Sequence, residues 1–376
     1  MALTKVLIGG IEPNLGRRNI LNNGAMQVAQ RGTTTGQGGA EAMSAVDRFK
    51  VFGGSTAGRL TSSQDSDSPI GFGNSLKLDC TTADTSVAAG EFLLLEQRIE
   101  GQDLQQLKYN QSSAETSTIS FYVKGNASAQ YTFALQYHLS GGTARWFTKG
   151  FAVTTDWARI TITIPGDTQA SSGSDYGIAD DNNTGANLMI WLHGGTNFSS
   201  GTHQDTAWAD RDYTKLFQDN QTSFYDSTDR TFFFTGFQFE VGSQATPFEH
   251  RSFGEELALC QRYYFQIGPY PSSSGYGALA IFSTADGNSG FSLIDFPVYM
   301  RAEPTLTHTG TATDYNLYVA NSHKAGSGGF SISSGDTLKH TLLYTEHSST
   351  TTAGQVGTLT TANNNTDAFL GFVAEL

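Results

Sequence analysis

The chain has 376 residues, of which 38% are hydrophobic and 12% aromatic, enough to build the cores of two or three domains. Only 15% are charged, against about 25% in an average globular domain, so Ser, Thr, Asn, Gln and Gly must supply much of the polar surface. The net charge of −13 argues against nucleic acid as a partner, since phosphate contacts need clustered Lys and Arg, and against anionic membrane surfaces.

Residues 1–19 are predicted to form an extended arm. Val6, Leu7 and Ile8 make one short apolar patch, and Pro13 follows it. A segment this short buries little surface by itself, so we expect the patch to dock onto another protein. The chain starts without the apolar run of a signal peptide and holds no run of transmembrane length, which predicts synthesis in a cytoplasm and no membrane insertion.

Residues 20–250 carry many short apolar segments separated by Gly, Asn, Asp and Ser. Short strands with regular turn signals predict an all-β fold, here a β-sandwich. The predicted strands are 47–52, 75–79, 92–99, 117–124, 130–137, 145–149, 158–164, 187–192 and 231–241. Between two of them, Leu104 and Leu107 lie one helical turn apart, which predicts a short helical turn within 100–109.

A short helix is predicted within a linker, residues 251–265. Ser252 and Glu255 have the spacing of a capping box, in which the hydroxyl accepts from the N3 amide and the carboxylate reaches back. Leu257, Cys260 and Tyr264 then fall on one face. Such a face packs against a sheet or against symmetry mates, and we expect it to support oligomerisation.

Residues 266–376 are again β-rich, with strands predicted at 329–333 and 368–376 and a hairpin bracketed by 291–297 and 301–307. The apolar content is thin for a freestanding domain. Burial between copies would compensate, so we expect this region to be a tip and oligomerisation domain.

The two cysteines, Cys80 and Cys260, both lie in apolar-looking contexts. A disulfide and a pair of buried free thiols are the two interpretations. Because the chain is not a small, cysteine-dense scaffold, the free thiols are favoured.

Three segments resemble carbohydrate-binding modules with a jelly-roll fold: 118–124, 157–167 and the final strand 237–243. The resemblance implies a jelly-roll β-sandwich, followed in this chain by the short helix and a smaller C-terminal β-domain.

Four further segments are similar to structural proteins of tailed bacteriophages, often tail fibres: 22–32, 97–101, 246–264 and 296–305. This resemblance implies a virion protein and carries no catalytic residues. It implies partners among phage tail or capsid proteins, and assembly followed by lysis as the route out of the cytoplasm.

A long polar stretch, residues 194–230, holds the candidate ligand site, because loops of this length are usually functional. Sugars stack their C–H faces on aromatic rings while polar side chains bind their hydroxyls. Trp208, with Asp205, Asp210 and Tyr213 beside it, is therefore the candidate glycan platform. The alternative is that Trp208 anchors the loop in a hydrophobic pit. Trp157 and Trp191 lie in strong strand patterns and are predicted to be core residues.

Carboxylates do not form a recognisable catalytic motif. Glu96, Glu100 and Glu240 lie in or at the ends of predicted strands, where holding Arg or backbone groups is favoured over glycosidase chemistry. The acidic turns 65–67 and 180–185 offer oxygen ligands for a structural calcium ion, but solvated turns are favoured. We therefore expect a non-enzyme without a cofactor, with structural calcium as the open alternative.

The sequence thus predicts a homotrimeric tail-fibre subunit that binds a host cell-surface polysaccharide. A capsid (head) fibre or decoration protein is the alternative within the same class. A polysaccharide depolymerase is the alternative among enzymes.

Overall fold

The computed structural model describes residues 17–142, 144–168, 177–203, 205, 207–210, 212–218, 221–269, 275–332 and 338–376. The chain divides into two compact units, which are described separately: unit 1, up to Glu256 together with Leu376, and unit 2, Leu257–Glu375. The predicted docking residues Val6, Leu7 and Ile8 lie outside the described residues.

Unit 1 is built almost entirely from strands. In chain order they are β1 (Thr34–Gln37), β2 (Ala42–Met43), β3 (Lys50–Gly54), β4 (Arg59–Asp65), β5 (Ser75–Thr82), β6 (Phe92–Glu100), β7 (Ser117–Gly125), β8 (Ala129–His138), β9 (Ala144–Val153), β10 (Ala158–Ile164), β11 (Thr184–Gly194), β12 (Ala209–Asp210) and β13 (Thr231–Val241). Three 3-10 helices also occur, at Gly101–Leu107, Tyr213–Lys215 and Phe224–Asp226. The first of these is the helical turn that the sequence predicts.

The strands form two antiparallel sheets. Sheet A has the order β1-β4-β5-β13-β7-β10, and sheet B has the order β12-β9-β8-β11-β6-β3-β2. Within these sheets, β5 pairs with β13 and β6 pairs with β11, so early strands lie beside late ones. That alternation of early and late strands between two sheets is the connectivity of a jelly roll. The predicted all-β jelly-roll sandwich is confirmed.

A bulge in β13 sets which residues of sheet A reach the core. Phe232 and Phe234 point inward before the bulge, and Phe237 and Phe239 point inward after it. The inward-facing positions therefore change from even-numbered to odd-numbered residues at the bulge. Gly236 lies at the change with φ of +65°, and a Cβ there would come within 2.8 Å of two aromatic side chains. A bulge adds one residue to one strand and moves the following side chains to the other face. The core therefore receives four phenylalanines from one strand.

The segment around Asn23 is held by a buried hydrogen-bond network. The Asn23 side chain donates to the carbonyls of Val28 at 2.8 Å and Asp47 at 2.9 Å, and it accepts from the Val28 amide at 3.0 Å. Its own amide donates to the Glu256 carboxylate. Burial raises the pKa of Glu256, although the hydrogen bond from the Asn23 amide and the charge of Arg251 act to lower it. One side chain thus satisfies three buried backbone groups.

Helix α1 (Phe253–Gln261) follows the sandwich, within the predicted linker. Ser252 Oγ accepts from the Glu255 amide at 3.3 Å, as the capping pattern predicts, and the Glu255 carboxylate pairs with Arg17 at 3.1 Å. The prediction that the helix face forms a subunit interface needs correction. Cys260 and Tyr264 are already buried within a single chain, so their side chains are not available to a second copy, and Leu257 is only partly exposed.

Unit 2 contains a small and a large sheet. Its strands are β14 (Tyr264–Ile267), β15 (Ala278–Thr284), β16 (Ser289–Asp295), β17 (Thr305–His308), β18 (Tyr315–Val319), β19 (Ser322–Ala325), β20 (Ser331–Ile332), β21 (His340–Glu346), β22 (Val356–Thr361) and β23 (Leu370–Val373), with a 3-10 helix at Ala312–Asp314. Sheet C has the order β14-β23-β17, and sheet D has the order β19-β18-β22-β15-β16-β21-β20. Phe372 of sheet C and Phe282 of sheet D belong to the same core cluster.

The hairpin predicted between 291–297 and 301–307 is wrong. β16 pairs with β15 and β21, whereas β17 pairs with the C-terminal strand β23, where Leu306 lies opposite Phe372. Both segments have strand-like patterns, but each finds its partner far along the chain. Among the helices that the structure describes, none combines the length and the apolar character needed to cross a bilayer.

Replacing Asn23 with Ala should lower the free energy of unfolding of unit 1 by about 2–4 kcal/mol, because three buried backbone groups lose their partner. Asn23 also has φ of +57°, a conformation that Ala adopts less readily than Asn. Denaturant titration followed by tryptophan fluorescence measures the change. The neighbouring Asn22→Ala is the matched control and should stay within about 0.5 kcal/mol of the unsubstituted protein. Equal effects of the two substitutions would contradict the role of Asn23.

Both cysteines should be unreactive in the folded protein. Cys80 and Cys260 are buried and form no disulfide, as the sequence favours, and burial raises the pKa of Cys80 to about 11. A chromogenic disulfide reagent at pH 8 should therefore modify no thiol quickly in the native protein and two per chain after denaturation. One fast thiol under native conditions would show that one of these side chains is accessible.

Candidate functional site

Trp208, the predicted glycan platform, is partly buried against the main core. Its ring centroid lies 5.1 Å from those of Tyr109 and Tyr137 and 5.8 Å from that of Phe147. Its indole Nε1 donates to the Pro165 carbonyl at 2.6 Å. Edge-to-face packing on the two tyrosine rings, a tilted contact with Phe147 and a satisfied N–H are the contacts of a loop anchor. In the structure Trp208 is therefore a loop anchor in a hydrophobic pit, which is the alternative interpretation of the sequence, and not an open platform.

The two predicted aspartates are engaged in ion pairs. Asp205 accepts from Lys149 Nζ at 2.9 Å, and Asp210 accepts from Arg145 Nη1 at 2.6 Å. Arg145 also pairs with the buried Asp167 at 2.7 Å. Burial acts against the charge on Arg145, but these carboxylates raise its pKa, so the guanidinium stays charged. Both aspartates therefore hold the loop to sheet B.

Tyr213, the fourth predicted residue, is different because its side chain is 49% exposed and lines a pocket. The pocket lies on the face of sheet B that points away from the main core. Of the four predicted residues, Tyr213 alone lines this pocket, whereas Trp208 anchors the loop that carries it.

The outer face of sheet B carries a second apolar cluster, separate from the main core. We call it the outer-face cluster; its buried members are Leu94, Ala134, Trp146, Met189, Trp191, Leu216 and Phe217, with Phe52, Phe92 and Phe198 packed against them. Trp191 lies at the centre, with ring centroids of Phe198 at 5.4 Å and Phe217 at 5.2 Å. The sequence prediction that Trp191 is buried holds, but it belongs to this cluster and not to the main core.

The sequence signal for this face is the loss of alternation in the central strands. In β6, Leu93 and Leu95 enter the main core while Leu94 enters the outer-face cluster. In β11, Ile190 enters the main core while Trp191 enters the outer-face cluster. A strand that is apolar on both faces is covered on both faces, whereas a half-exposed antiparallel strand alternates. The consecutive apolar residues could therefore have located the second face.

Part of the outer-face cluster remains open as a pocket of about 240 Å³. Its apolar lining comes from Phe52, Phe92, Leu94, Trp146, Met189, Trp191 and Phe198, and its polar lining from Glu96, Arg98, Gln136, Asn187 and Tyr213. Small-molecule sites typically combine such an apolar lining with a few placed polar groups. The polar groups lie on neighbouring strands, since Asn187 is directly opposite both Arg98 and Gln136.

The charges at the pocket are paired with one another. Glu96 accepts from Arg98 Nε at 3.0 Å and from the Asn187 amide. Arg98 also pairs with Glu41 at 3.2 Å. Burial opposes the charge on Glu41, but Lys50 and Arg98 hold the pKa of that carboxyl below its usual value. The rim therefore offers hydrogen-bonding groups of both signs without an excess of either.

Two buried donors in the pocket walls have no partner. The indole Nε1 atoms of Trp146 and Trp191 are buried and make no hydrogen bond to the described residues, although the two side chains are only 7% and 4% exposed. Buried polar groups are nearly always satisfied, and an unmade hydrogen bond costs about 1–3 kcal/mol. Both rings line the pocket. Because these two Nε1 atoms are shielded from solvent, the donors and acceptors that the open pocket presents are those of its polar lining, beside the aromatic surface that a sugar ring needs.

The other carboxylates examined in the sequence have structural partners. Glu240 accepts from the Thr246 amide at 2.9 Å and hydroxyl at 2.7 Å, and Glu100 accepts from Gln102 at 2.7 Å. In the acidic turn 180–185, Asp181 accepts from Asn183. Over the part of the chain that the structure describes, no three His, Cys, Asp or Glu side chains come together as metal ligands.

No protein-family model matches the chain, and no curated protein matches it. Among solved structures it is similar to the family 11 carbohydrate-binding module of a Clostridium thermocellum cellulosomal cellulase, with 12% identity, a TM-score of 0.29, and coverage of 55% of this chain and 98% of that one. It is also similar to a putative sugar-binding protein from Bacteroides thetaiotaomicron, with 10% identity, a TM-score of 0.32, and coverage of 60% and 100%.

A third similar structure is the enzymatically active domain of tailspike protein 4 of bacteriophage CBA120, with 10% identity and a TM-score of 0.29. The match covers 60% of this chain but only 21% of that one. At these values the likenesses assign neither a family nor a ligand to this chain.

Substituting Trp208 separates its two interpretations. Trp208→Ala should lower the free energy of unfolding of unit 1 by about 2–4 kcal/mol, because a large ring leaves its pit. Trp208→Phe should lose less, since a ring remains and only the hydrogen bond to Pro165 is removed. Thermal and denaturant unfolding of both variants measure this. An Ala variant with unchanged stability and abolished sugar binding would restore the platform interpretation.

Proposed function

We propose that unit 1 binds a glycan in the pocket on the outer face of sheet B, and that the protein is a structural component of a tailed-phage virion. In this proposal it is a homotrimeric tail-fibre subunit that attaches the particle to a polysaccharide of the host surface. The observation that carries the proposal is the aromatic pocket with the hydrogen-bonding side chains of Gln136, Asn187 and Tyr213 in its lining.

The pairing of charges at the rim favours a neutral glycan. Glu96 and Glu41 are balanced by Arg98 and Lys50, so a sugar without charge can exchange its hydroxyls for water there without leaving an ion unpaired. An anionic polysaccharide would also have to approach a chain with a net charge of −13. The aromatic rings would supply stacking surface, and the amides of Gln136 and Asn187 would bind hydroxyls.

The site favours binding over hydrolysis. Glycoside hydrolysis uses two carboxyl groups roughly 5–10 Å apart across the scissile bond. Among the described residues that line the pocket, Glu96 is the one carboxylate, and it is held by Arg98 and Asn187. We therefore propose a non-enzymatic adhesin. Release of reducing sugar from host polysaccharide would contradict this proposal and support a depolymerase instead.

The virion assignment rests on the resemblance of 22–32, 97–101, 246–264 and 296–305 to phage structural proteins. A pocket of about 240 Å³ holds one or two sugar rings and would bind weakly. Several copies on one particle would convert weak binding into firm attachment, since linked sites raise the effective concentration of the second. Immunogold labelling of virions distinguishes a tail fibre from a head fibre or decoration protein by where the label falls, and virions without label would contradict both.

Tyr213→Ala should weaken binding of host polysaccharide oligosaccharides at least about tenfold with little change in stability, because an exposed ring of the pocket is removed. Trp146→Phe should weaken binding as well, since it replaces an indole of the pocket wall with a smaller ring. Quenching of tryptophan fluorescence on titration measures both. Tyr299→Ala, at an exposed tyrosine of unit 2, is the matched control and should bind as the unsubstituted protein does. Sugar binding that survives both pocket substitutions would exclude this pocket as the site.

A further inference from the structure

Sheet D of unit 2 has one covered face and one exposed face. Its covered face contributes Phe282, Ile294, Leu343 and Leu359 to the core that it shares with sheet C. Along β16 and β21 the residues alternate between these buried positions and exposed ones. Such alternation normally brings polar residues to the exposed face.

The exposed face of sheet D is instead apolar along its centre. The register places Leu293 opposite Leu342, Phe291 opposite Tyr344 and Ser283 opposite Val356 on neighbouring strands. Ile281 lies two residues before Ser283 and is therefore on the same face. We call Ile281, Phe291, Leu293, Leu342, Tyr344 and Val356 the sheet-D patch. Four of its members are strongly exposed: Ile281 at 74%, Val356 at 70%, Leu293 at 55% and Leu342 at 40%.

The size and the charge of the sheet-D patch both point to a protein partner. Its exposed side chains leave roughly 400 Å² of apolar surface in water, the size at which patches on monomers are often functional. A standard interface buries about 800 Å² on each partner with an apolar centre and a polar rim. The patch matches that centre, and Asp295 with His340 at one end and Glu346 at the other supply the rim.

The absence of charge in the patch suits a contact between identical chains. Two copies with a net charge of −13 repel each other over most of their surfaces, so they can meet only where charge is absent. The patch itself contains no Asp, Glu, Lys or Arg, so at its centre two copies meet without bringing carboxylates together, and Asp295 and Glu346 stay at the rim. Sheets pack face to face about 10 Å apart through such apolar faces.

We propose that the sheet-D patch is the contact between copies of this chain. Three such faces turned towards a common three-fold axis would bury one another, and a two-fold axis would pair two of them. The inference deepens the homo-oligomeric part of the proposed function and rests on it. It replaces the helix face of Leu257, Cys260 and Tyr264 as the oligomerisation surface, and it does not depend on sugar binding.

The experiment is sedimentation velocity of the full chain at micromolar concentration, with folding verified by circular dichroism. The unsubstituted protein should sediment as an oligomer. Leu293→Arg and, independently, Val356→Lys should weaken association at least about tenfold, because each places a charge at the centre of the contact. Ile70→Arg is the matched control, since Ile70 is a fully exposed isoleucine of unit 1, and it should leave the oligomer intact.

The possible outcomes distinguish the role of the sheet-D patch from the existence of an oligomer. A folded Leu293→Arg or Val356→Lys protein that keeps the full oligomer would overturn the sheet-D patch while leaving oligomerisation in place. An unsubstituted chain that stays monomeric would overturn both, and a virion protein of other sequence would then be the occupant to look for. Titration with a monovalent oligosaccharide in the same samples should give unchanged affinity in all variants. A failure of the proposed sugar binding is thereby distinguished from a failure of the proposed contact between copies.

Discussion

The structure of unit 1 depends on one constraint: the central strands of sheet B are apolar on both faces, and both faces must be covered. The inner face meets sheet A and forms the main core. The outer face is covered in part by the long segment between β11 and β13, through Phe198, Leu216 and Phe217. Trp208 and the Asp210–Arg145 pair hold that segment in place. What the segment leaves uncovered is the pocket, so the candidate site is a consequence of how a two-faced strand is buried.

The same constraint underlies the contact between copies that we propose for unit 2. Sheet C covers only one face of sheet D, and the chain supplies no described segment that covers the apolar centre of the other. An apolar sheet face is a surface that association stabilises, because removing it from water gains about 25 cal/mol per Å². In the proposed assembly, this face, and not the helix that precedes it, would compensate for the thin apolar content of the C-terminal region.

Much of the fold could be predicted from the sequence, and the failures have physical reasons. Strands 158–164 and 231–241 match β10 and β13 because alternation and β-branched or aromatic residues mark them clearly. The bulge at Gly236 could not be located from the sequence, because a strand whose inward-facing positions shift by one residue shows the same run of apolar residues as a strand that is apolar on both faces. The pocket was missed because its residues come from β3, β6, β8, β9 and β11, which only the sheet order brings together. Trp208 was found as part of the right loop, but exposure cannot be derived from a polar neighbourhood alone.

Charge pairing connects these features to the way in which the protein would act. Arg145 with Asp167 and Arg98 with Glu96 use few charged residues to fix the loop and the rim, which suits a chain with only 15% of charged residues. Because the rim charges are already neutralised, binding there would draw on stacking and neutral hydrogen bonds, which give modest free energy at each site. Firm attachment to a surface then requires several sites at once. In the proposed adhesive assembly, the pocket of unit 1 would bind weakly at each site, and the apolar face of unit 2 would join the copies that bind together.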